Sequence, residues 1–191
     1  MKLTDIHPHL TLPNLITSTR FITAPIMLWL AWHGYGLAFM ALLAIAFFSD
    51  LVDGAVARLT GQMSQFGVML DSWADLLTYI TIGFGSWWLW PEIVHREDTY
   101  LYIILACFLI PATVASIKFD RYPSYHTWGV KIAAASIGLS LYPLFLVDIA
   151  WPFHIAVFIY VLAAIEELAI TLTLKKLKSN VRTIWHVLQQ Q

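Results

Sequence analysis

The chain has 191 residues, 59% of them hydrophobic and only 12% charged, with a formal net charge of −1. Soluble domains carry about 25% charged residues, so this composition belongs to a membrane protein, and a net charge near zero gives no electrostatic basis for binding nucleic acid. The single cysteine, Cys107, excludes an internal disulfide and a cysteine-based zinc site.

A membrane span needs about 20 mostly apolar residues. Six stretches qualify: Leu15–His33, Leu37–Leu59, Gly67–Trp90, Thr99–Phe119, Gly129–Asp148 and Trp151–Leu174. Turn and charge signals separate them: Gly34-Tyr35-Gly36, Thr60-Gly61-Gln62, Pro91 to Asp98, Asp120 to Thr127, and Pro152. Residues 1–14 read as an N-terminal interfacial segment without the basic-then-apolar pattern of a cleaved signal, and residues 175–191 as a polar C-terminal tail. The expected fold class is therefore all-α integral membrane, with six transmembrane helices in one domain spanning 1–191.

Six spans place both termini on one side. Lys2, Arg20, Arg58, Lys118, Arg121, Lys131, Lys175, Lys176, Lys178 and Arg182 fall on that side, and only Arg96 on the other. The positive-inside rule makes that side cytoplasmic. Trp29, Trp32, Trp87, Trp88, Trp90 and Trp151 gather at the opposite boundary, as an aromatic belt does. His33, His95 and His154 fall at the same boundary and read as interfacial residues, not ligands. The expected location is a multi-pass protein of a bacterial inner membrane with its working face toward the cytoplasm.

The second and third spans carry Asp50, Asp53, Asp71 and Asp75. An ionised aspartate at a helix centre in a bilayer costs about 2.5–3.5 kcal/mol even on the lenient insertion scale, so such residues need partners and mark function. With a rise of about 1.5 Å per residue, Asp50 stands about 12 Å up its helix from Arg58, and Asp53 about 7–8 Å. Asp71 and Asp75 stand about 6 and 12 Å up theirs from Gly67. Asp50 should therefore face Asp75, and Asp53 face Asp71. Gly54, Ala57, Gly67 and Ala74 share those faces and would let the two helices approach closely. Clustered carboxylates suit a hard divalent cation, Mg²⁺ or Mn²⁺, completed by substrate phosphates.

The pattern Asp50-x-x-Asp53-Gly54-x-x-Ala57-Arg58-x8-Gly67-x3-Asp71-x3-Asp75 is the signature of the CDP-alcohol phosphotransferase family, and the chain resembles that family at every fixed position. Upstream, Asn14-Leu-Ile-Thr17-Ser-Thr-Arg20 is similar to the segment these enzymes carry before and within their first span. The resemblance implies a transferase acting on a CDP-linked donor, here CDP-diacylglycerol, with the phosphatidyl group passing to the hydroxyl of a polar alcohol and CMP leaving. It implies that Asp50, Asp53, Asp71 and Asp75 hold the metal, two Mg²⁺ or Mn²⁺ ions, with Asp75 as general base. It further implies that Asp53, Gly54, Ala57, Arg58 and Gly67 line the CDP site, and that the protein is a homodimer in contact with membrane lipid. The chemistry agrees. Phosphoryl transfer needs neutralised phosphate charge and an activated hydroxyl, and Arg58 at the mouth suits a bidentate phosphate contact.

The acceptor is less legible. Lys118, Arg121, His126 and Lys131 form a basic group on the same face, and Lys131 resembles a lysine that family members with phosphate-bearing acceptors carry near their fifth span. Glycerol 3-phosphate comes first on that ground, followed by inositol phosphate. Glu166-Glu167 in the sixth span, about 12 Å from its cytoplasmic end, would suit an ammonium or polyol acceptor instead, with one of the two facing the site. Glycerophosphate-transferring members often read Asp-Pro-x-Ala-Asp-Lys where this chain has Ser72 and Leu76, which leaves serine and other alcohols open. A transferase using a CDP-amino-alcohol and diacylglycerol is the alternative within this chemistry. A cation transporter is the non-enzyme alternative, but beyond Asp50 and Asp75 the two helices carry no further charge to continue a path.

Overall fold

The computed structural model describes residues 11–61, 64–119 and 127–174. Among these the chain is helical throughout: α1 Leu12–Trp32, α2 Gly36–Thr60, α3 Gln65–Leu89, α4 Pro91–Arg96, α5 Asp98–Phe119, α6 Trp128–Val147 and α7 Trp151–Thr173. Local chemistry sets the ends. The Thr11 hydroxyl accepts from the Asn14 N–H at 3.4 Å, and Pro13 sits in the first turn, where its missing N–H is harmless. α1 therefore starts three residues before the expected span, with Asn14 in its first turn. Ser64 and Thr127 cap α3 and α6 in the same way, accepting from Gly67 N at 2.9 Å and Val130 N at 3.2 Å. The sequence showed only a break between Pro91 and Asp98; the structure places α4 there, opened by a proline with its preset helical φ. Pro25, Pro111 and Pro143 lie inside α1, α5 and α6 without dividing them.

Five helices, α1, α2, α5, α6 and α7, are long and apolar enough to cross a membrane. The sixth expected span, α3, has 25 residues and a reach of about 37 Å, but it carries Asp71, Asp75, Ser72, Ser86, Thr78 and Thr81, which lower its hydropathy. Large apolar side chains such as Ile22, Leu37, Phe48, Phe84 and Phe158 point outward. That suits helices solvated by lipid and would be an aggregation liability in water.

The chain forms two compact units, Met1–Pro91 and Glu92–Gln191. In the first, α1 packs along both α2 and α3, which touch each other little. Close α2–α3 pairing through small residues is thus not how the aspartates meet. α1 lies between the two helices, and the reason is electrostatic: carboxylates approaching from both sides repel unless a cation separates them. Met27, Ala31, Phe39, Met40, Leu43 and Ala74 form the apolar core. Phe39 fills space that Gly85 leaves, since a β-carbon at residue 85 would run into its ring. At the end away from the aspartates, Trp32 meets Trp88 edge-on at 5.2 Å and Phe39 meets Trp90 at 6.2 Å.

In the second unit α7 packs on α5 and α6, with Ala115, Ala133, Ala156, Ala163 and Ala164 buried so that the backbones come close. Two polar clasps tie α7 down. Near its C-terminus, Lys118 Nζ donates to the carbonyls of Thr171 and Leu172 at 2.9 and 2.8 Å, countering the negative end of the helix dipole. Lys118 is therefore engaged in holding a helix end. Near the start of α7, the buried Glu97 accepts from Arg96 Nε at 3.0 Å and pairs with His154 Nε2 at 2.7 Å, while Tyr100 stacks on the His154 ring at 4.0 Å. Burial pushes the Glu97 carboxyl up, but the hydrogen bonds to His154 and Arg96 outweigh it and hold the group below its usual range. Arg96 also reaches Asp148, which ends α6 in the left-handed conformation at φ 59°.

Candidate metal and nucleotide site

In the first unit the four aspartates converge on one side chain, Arg20. Its Nη1 lies 2.5 Å from Asp75 Oδ1 and 3.1 Å from Asp50 Oδ1. Its Nη2 lies 2.5 Å from Asp71 Oδ1 and 3.4 Å from Asp53 Oδ2. The fork of the guanidinium thus reproduces the pairing by depth: one nitrogen serves Asp50 and Asp75, the other Asp53 and Asp71. Arg20 stands eight residues into α1, about 12 Å by helical rise, level with the outer aspartate pair.

The environment is graded. Arg20 and Asp53 are buried, at 3% and 5% exposure, whereas the Asp50, Asp71 and Asp75 side chains are between 41% and 46% exposed. The site is therefore walled on the α1 side and accessible along the α2–α3 side. Thr17, one turn before Arg20, donates its single hydroxyl proton to Asp53 Oδ2 at 2.6 Å, with the Pro13 carbonyl 3.0 Å away as the weaker, alternative acceptor. Asn14 lies one turn further back on the same broad buried side, since each step of three residues turns the helix face by only about 60°. Its Oδ1 would stand 2.7 Å from a β-carbon at residue 67, so the absent side chain of Gly67 is what lets α1 and α3 approach here.

Asn14, Thr17 and Arg20 form a buried polar stripe on α1. The sequence counted Arg20 among the positive charges that orient the chain and placed it with Asn14 and Thr17 in a segment similar to one the family carries, without assigning these side chains to the aspartates. The signal was available: three polar residues at helical spacing on one face of an apolar span need polar partners in the protein.

The donor set suits a hard divalent cation. One carboxylate oxygen each from Asp50, Asp53 and Asp71 lie within 4.8 Å of one another, and Asp75 completes the ring around Arg20. One guanidinium against four carboxylates leaves three negative charges unbalanced in a partly buried site, which favours a further cation. Gly54 and Ala57 lie partly buried on α2. The side chain of Arg58 lies outside the described residues, as do Arg121 and His126. Lys131 and Glu166 belong to the second unit. Lys131 Nζ sits 5.6 Å over the Trp128 ring. Glu166 lines a cavity of about 400 Å³ with Gly129, Ile132, Ile159, Leu162 and Ala163, where Gly129 makes room for its carboxylate.

Comparison with known proteins bears on this site directly. The family model for CDP-alcohol phosphatidyltransferase matches residues 10–175. A protein named probable phosphatidylglycerophosphate synthase from Mycobacterium tuberculosis is 28% identical over 180 residues, covering 84% of this chain and 77% of its own length. A CMP-forming cardiolipin synthase from Streptomyces coelicolor is 32% identical over 111 residues, half of each chain. A probable CMP-forming cardiolipin synthase from Drosophila melanogaster is 39% identical over 122 residues, covering 58% of this chain and 38% of its own length. No solved structure matches. The match runs through both units and through the whole acidic motif, which the fold gathers into one cluster; the chain belongs to the CDP-alcohol phosphatidyltransferase family, transferases of phospholipid biosynthesis.

Proposed function

We propose that the protein transfers the phosphatidyl group of CDP-diacylglycerol to the hydroxyl of a polar alcohol, with glycerol 3-phosphate as the first candidate, and releases CMP. The convergence of Asp50, Asp53, Asp71 and Asp75 on one point in a chain of this family carries the reading. Those four residues hold the divalent cation, Mg²⁺ or Mn²⁺ and two ions when loaded, which when bound supplies positive charge against the diphosphate. Asp53, Gly54, Ala57, Arg58 and Gly67 line the nucleotide. Asp75 takes the proton of the acceptor hydroxyl; the oxygen attacks the phosphorus that bears diacylglycerol, and the bond to the CMP phosphate breaks, with CMP carrying away the negative charge. A partly exposed carboxylate set walled by α1 suits a lipid donor whose CDP headgroup meets a polar acceptor at one side of the membrane.

α3 joins the five apolar helices as a sixth span, with both termini and the aspartates on the cytoplasmic side of a bacterial inner membrane. The ten-to-one lysine and arginine bias supports this orientation. The family match across both units supports one phosphotransferase domain over 1–191, with an N-terminal interfacial segment over 1–14 and a tail over 175–191. The working form is a homodimer. For the acceptor, the relative named phosphatidylglycerophosphate synthase supports glycerol 3-phosphate, contacted by Arg121, His126 and Lys131. The relatives named cardiolipin synthase favour a second reading, in which the acceptor hydroxyl belongs to the glycerol headgroup of phosphatidylglycerol. Glu166 would instead favour an ammonium or polyol acceptor over a phosphate-bearing one.

The test is CMP release by the purified protein in detergent with Mg²⁺ or Mn²⁺ and CDP-diacylglycerol. Glycerol 3-phosphate, phosphatidylglycerol, serine, inositol and inositol phosphate are supplied in parallel. Stimulation by glycerol 3-phosphate supports the first reading, and by phosphatidylglycerol the second. Asp75→Asn should abolish release while CDP-diacylglycerol still binds. Strong residual turnover in that variant would remove Asp75 as the base.

A further inference from the structure

Arg20 poses a problem for the site just described. Its guanidinium fills the space among the four carboxylates, and one of its shortest contacts, 2.5 Å, is to Asp75. A carboxylate whose Oδ1 is held by a guanidinium is a weaker base, because the neighbouring cation stabilises its ionised form. The same contacts put a positive charge where a divalent cation would have to sit. Arg20 is also incompletely satisfied. Its two Nη atoms face the four carboxylates, but Nε is buried with no hydrogen-bond partner among the described residues. A buried side chain aimed into an acidic cluster, with a donor to spare, is arranged for another acceptor.

Charge counting says what that acceptor is. Before loading, the carboxylates outnumber the guanidinium by three charges and hold it. Two divalent ions would cancel the four carboxylates, and the attraction on Arg20 would vanish. The uncompensated anion left in the site would then be the diphosphate of the donor, which matches the guanidinium fork in shape and charge. We propose that Arg20 is an exchangeable counter-cation: it holds the four aspartates in register before loading, competes with the divalent ion for them, and on displacement turns to the diphosphate of the CDP-linked donor, freeing Asp75. This inference rests on the metal site and donor proposed above.

The test is Mn²⁺ binding to the full chain in detergent, followed by electron paramagnetic resonance without nucleotide or acceptor, for the natural protein, Arg20→Gln, Arg20→Lys and Asp50→Asn. Removing the competing charge should tighten Mn²⁺ binding in Arg20→Gln by roughly tenfold or more, given how strongly like charges interact at contact distance. CDP-diacylglycerol binding with Mn²⁺ present and no acceptor should weaken in the same variant. A purely structural arginine would move both affinities downward. Equal or weaker Mn²⁺ binding by Arg20→Gln that elutes as a single species overturns the exchange. Should Arg20→Gln fail to fold, Arg20→Lys decides: the lysine keeps the competing charge but loses the fork, so Mn²⁺ binding should stay near the natural value while CDP-diacylglycerol binding with Mn²⁺ weakens, and undiminished CDP-diacylglycerol binding overturns the proposal. If the natural protein and Asp50→Asn bind Mn²⁺ alike, the ion is not held by these carboxylates, and the proposed metal site itself falls.

Discussion

Thr17→Val tests whether α1 positions the acidic cluster. Valine has nearly the shape of threonine, so the substitution opens no cavity and removes one hydroxyl from a position at 4% exposure. That hydroxyl donates to Asp53 at 2.6 Å, a charge-assisted bond. Hydrogen bonds to charged groups contribute about 1.5–3 kcal/mol. The partners left to Asp53 are then the backbone N–H of Gly54 and Arg20 Nη2 at 3.4 Å, neither of which fixes it to α1 as closely as the hydroxyl does. If Asp53 must keep its orientation through the transition state, the lost energy appears in the rate, a fall in kcat/KM of about 10-fold to 150-fold. The assay is CMP release from CDP-diacylglycerol at saturating Mg²⁺, with thermal unfolding in the same detergent as the control. Thr17→Ser, which keeps the donor, should stay near the natural rate. Thr17→Val activity within twofold of the natural protein, at unchanged melting temperature, would refute the idea that Asp53 depends on α1.

Three further outcomes are expected. Gly67→Ala places a methyl 2.7 Å from Asn14 Oδ1 and 3.1 Å from the Ser64 hydroxyl that caps α3, so it should lower thermal stability by about 1–2 kcal/mol and reduce CMP release. Gly85→Ala drives a methyl into the fully buried Phe39 ring and should destabilise by about 1–3 kcal/mol, whereas Gly83→Ala meets open space and should stabilise α3 by about 0.5–1 kcal/mol; equal effects at the two positions would sink the packing argument. Glu97 is held below the usual carboxylate value of 4.5, so its contribution is complete above that pH and is lost as the pH falls through the lowered folded value. The melting temperature of the natural protein should drop in that acid range. Glu97→Gln should melt lower at neutral pH and show a shallower acid-side fall, and an unchanged pH profile would show that the clasp is not coupled to folding.

The resemblance of residues 50–75 to a family signature was legible because chemistry and periodicity coincide there. Carboxylates in an apolar chain demand partners, and a helical repeat fixes which faces and depths they share. The pairing of Asp50 with Asp75 and of Asp53 with Asp71 needed only the rise per residue and an antiparallel turn, and the structure divides them in that way between the two nitrogens of Arg20. Apolar length alone located all the long helices to within a few residues. The caps that Thr11 and Ser64 provide explain why α1 and α3 begin earlier than hydropathy suggested.

The choice of neighbour was not legible in the same way. Small residues on α2 and α3 permit close approach, and permission is all that a one-dimensional pattern gives. Which helix lies between them depends on the free energy of the whole cluster, and four converging negative charges select the helix that brings a cation. Hence α1 lies between them, Arg20 stands at the centre of the cluster and not merely among the charges that orient the chain, and Lys118 and His154 are engaged in clasping α7. The sequence by itself determined the helices, their membrane character and the identity of the acidic motif, because these follow from local composition and spacing. That Asn14, Thr17 and Arg20 complete the site was settled by the packing of α1, because their partners lie 30 or more residues away and a polar stripe on one span does not say which charges it will meet.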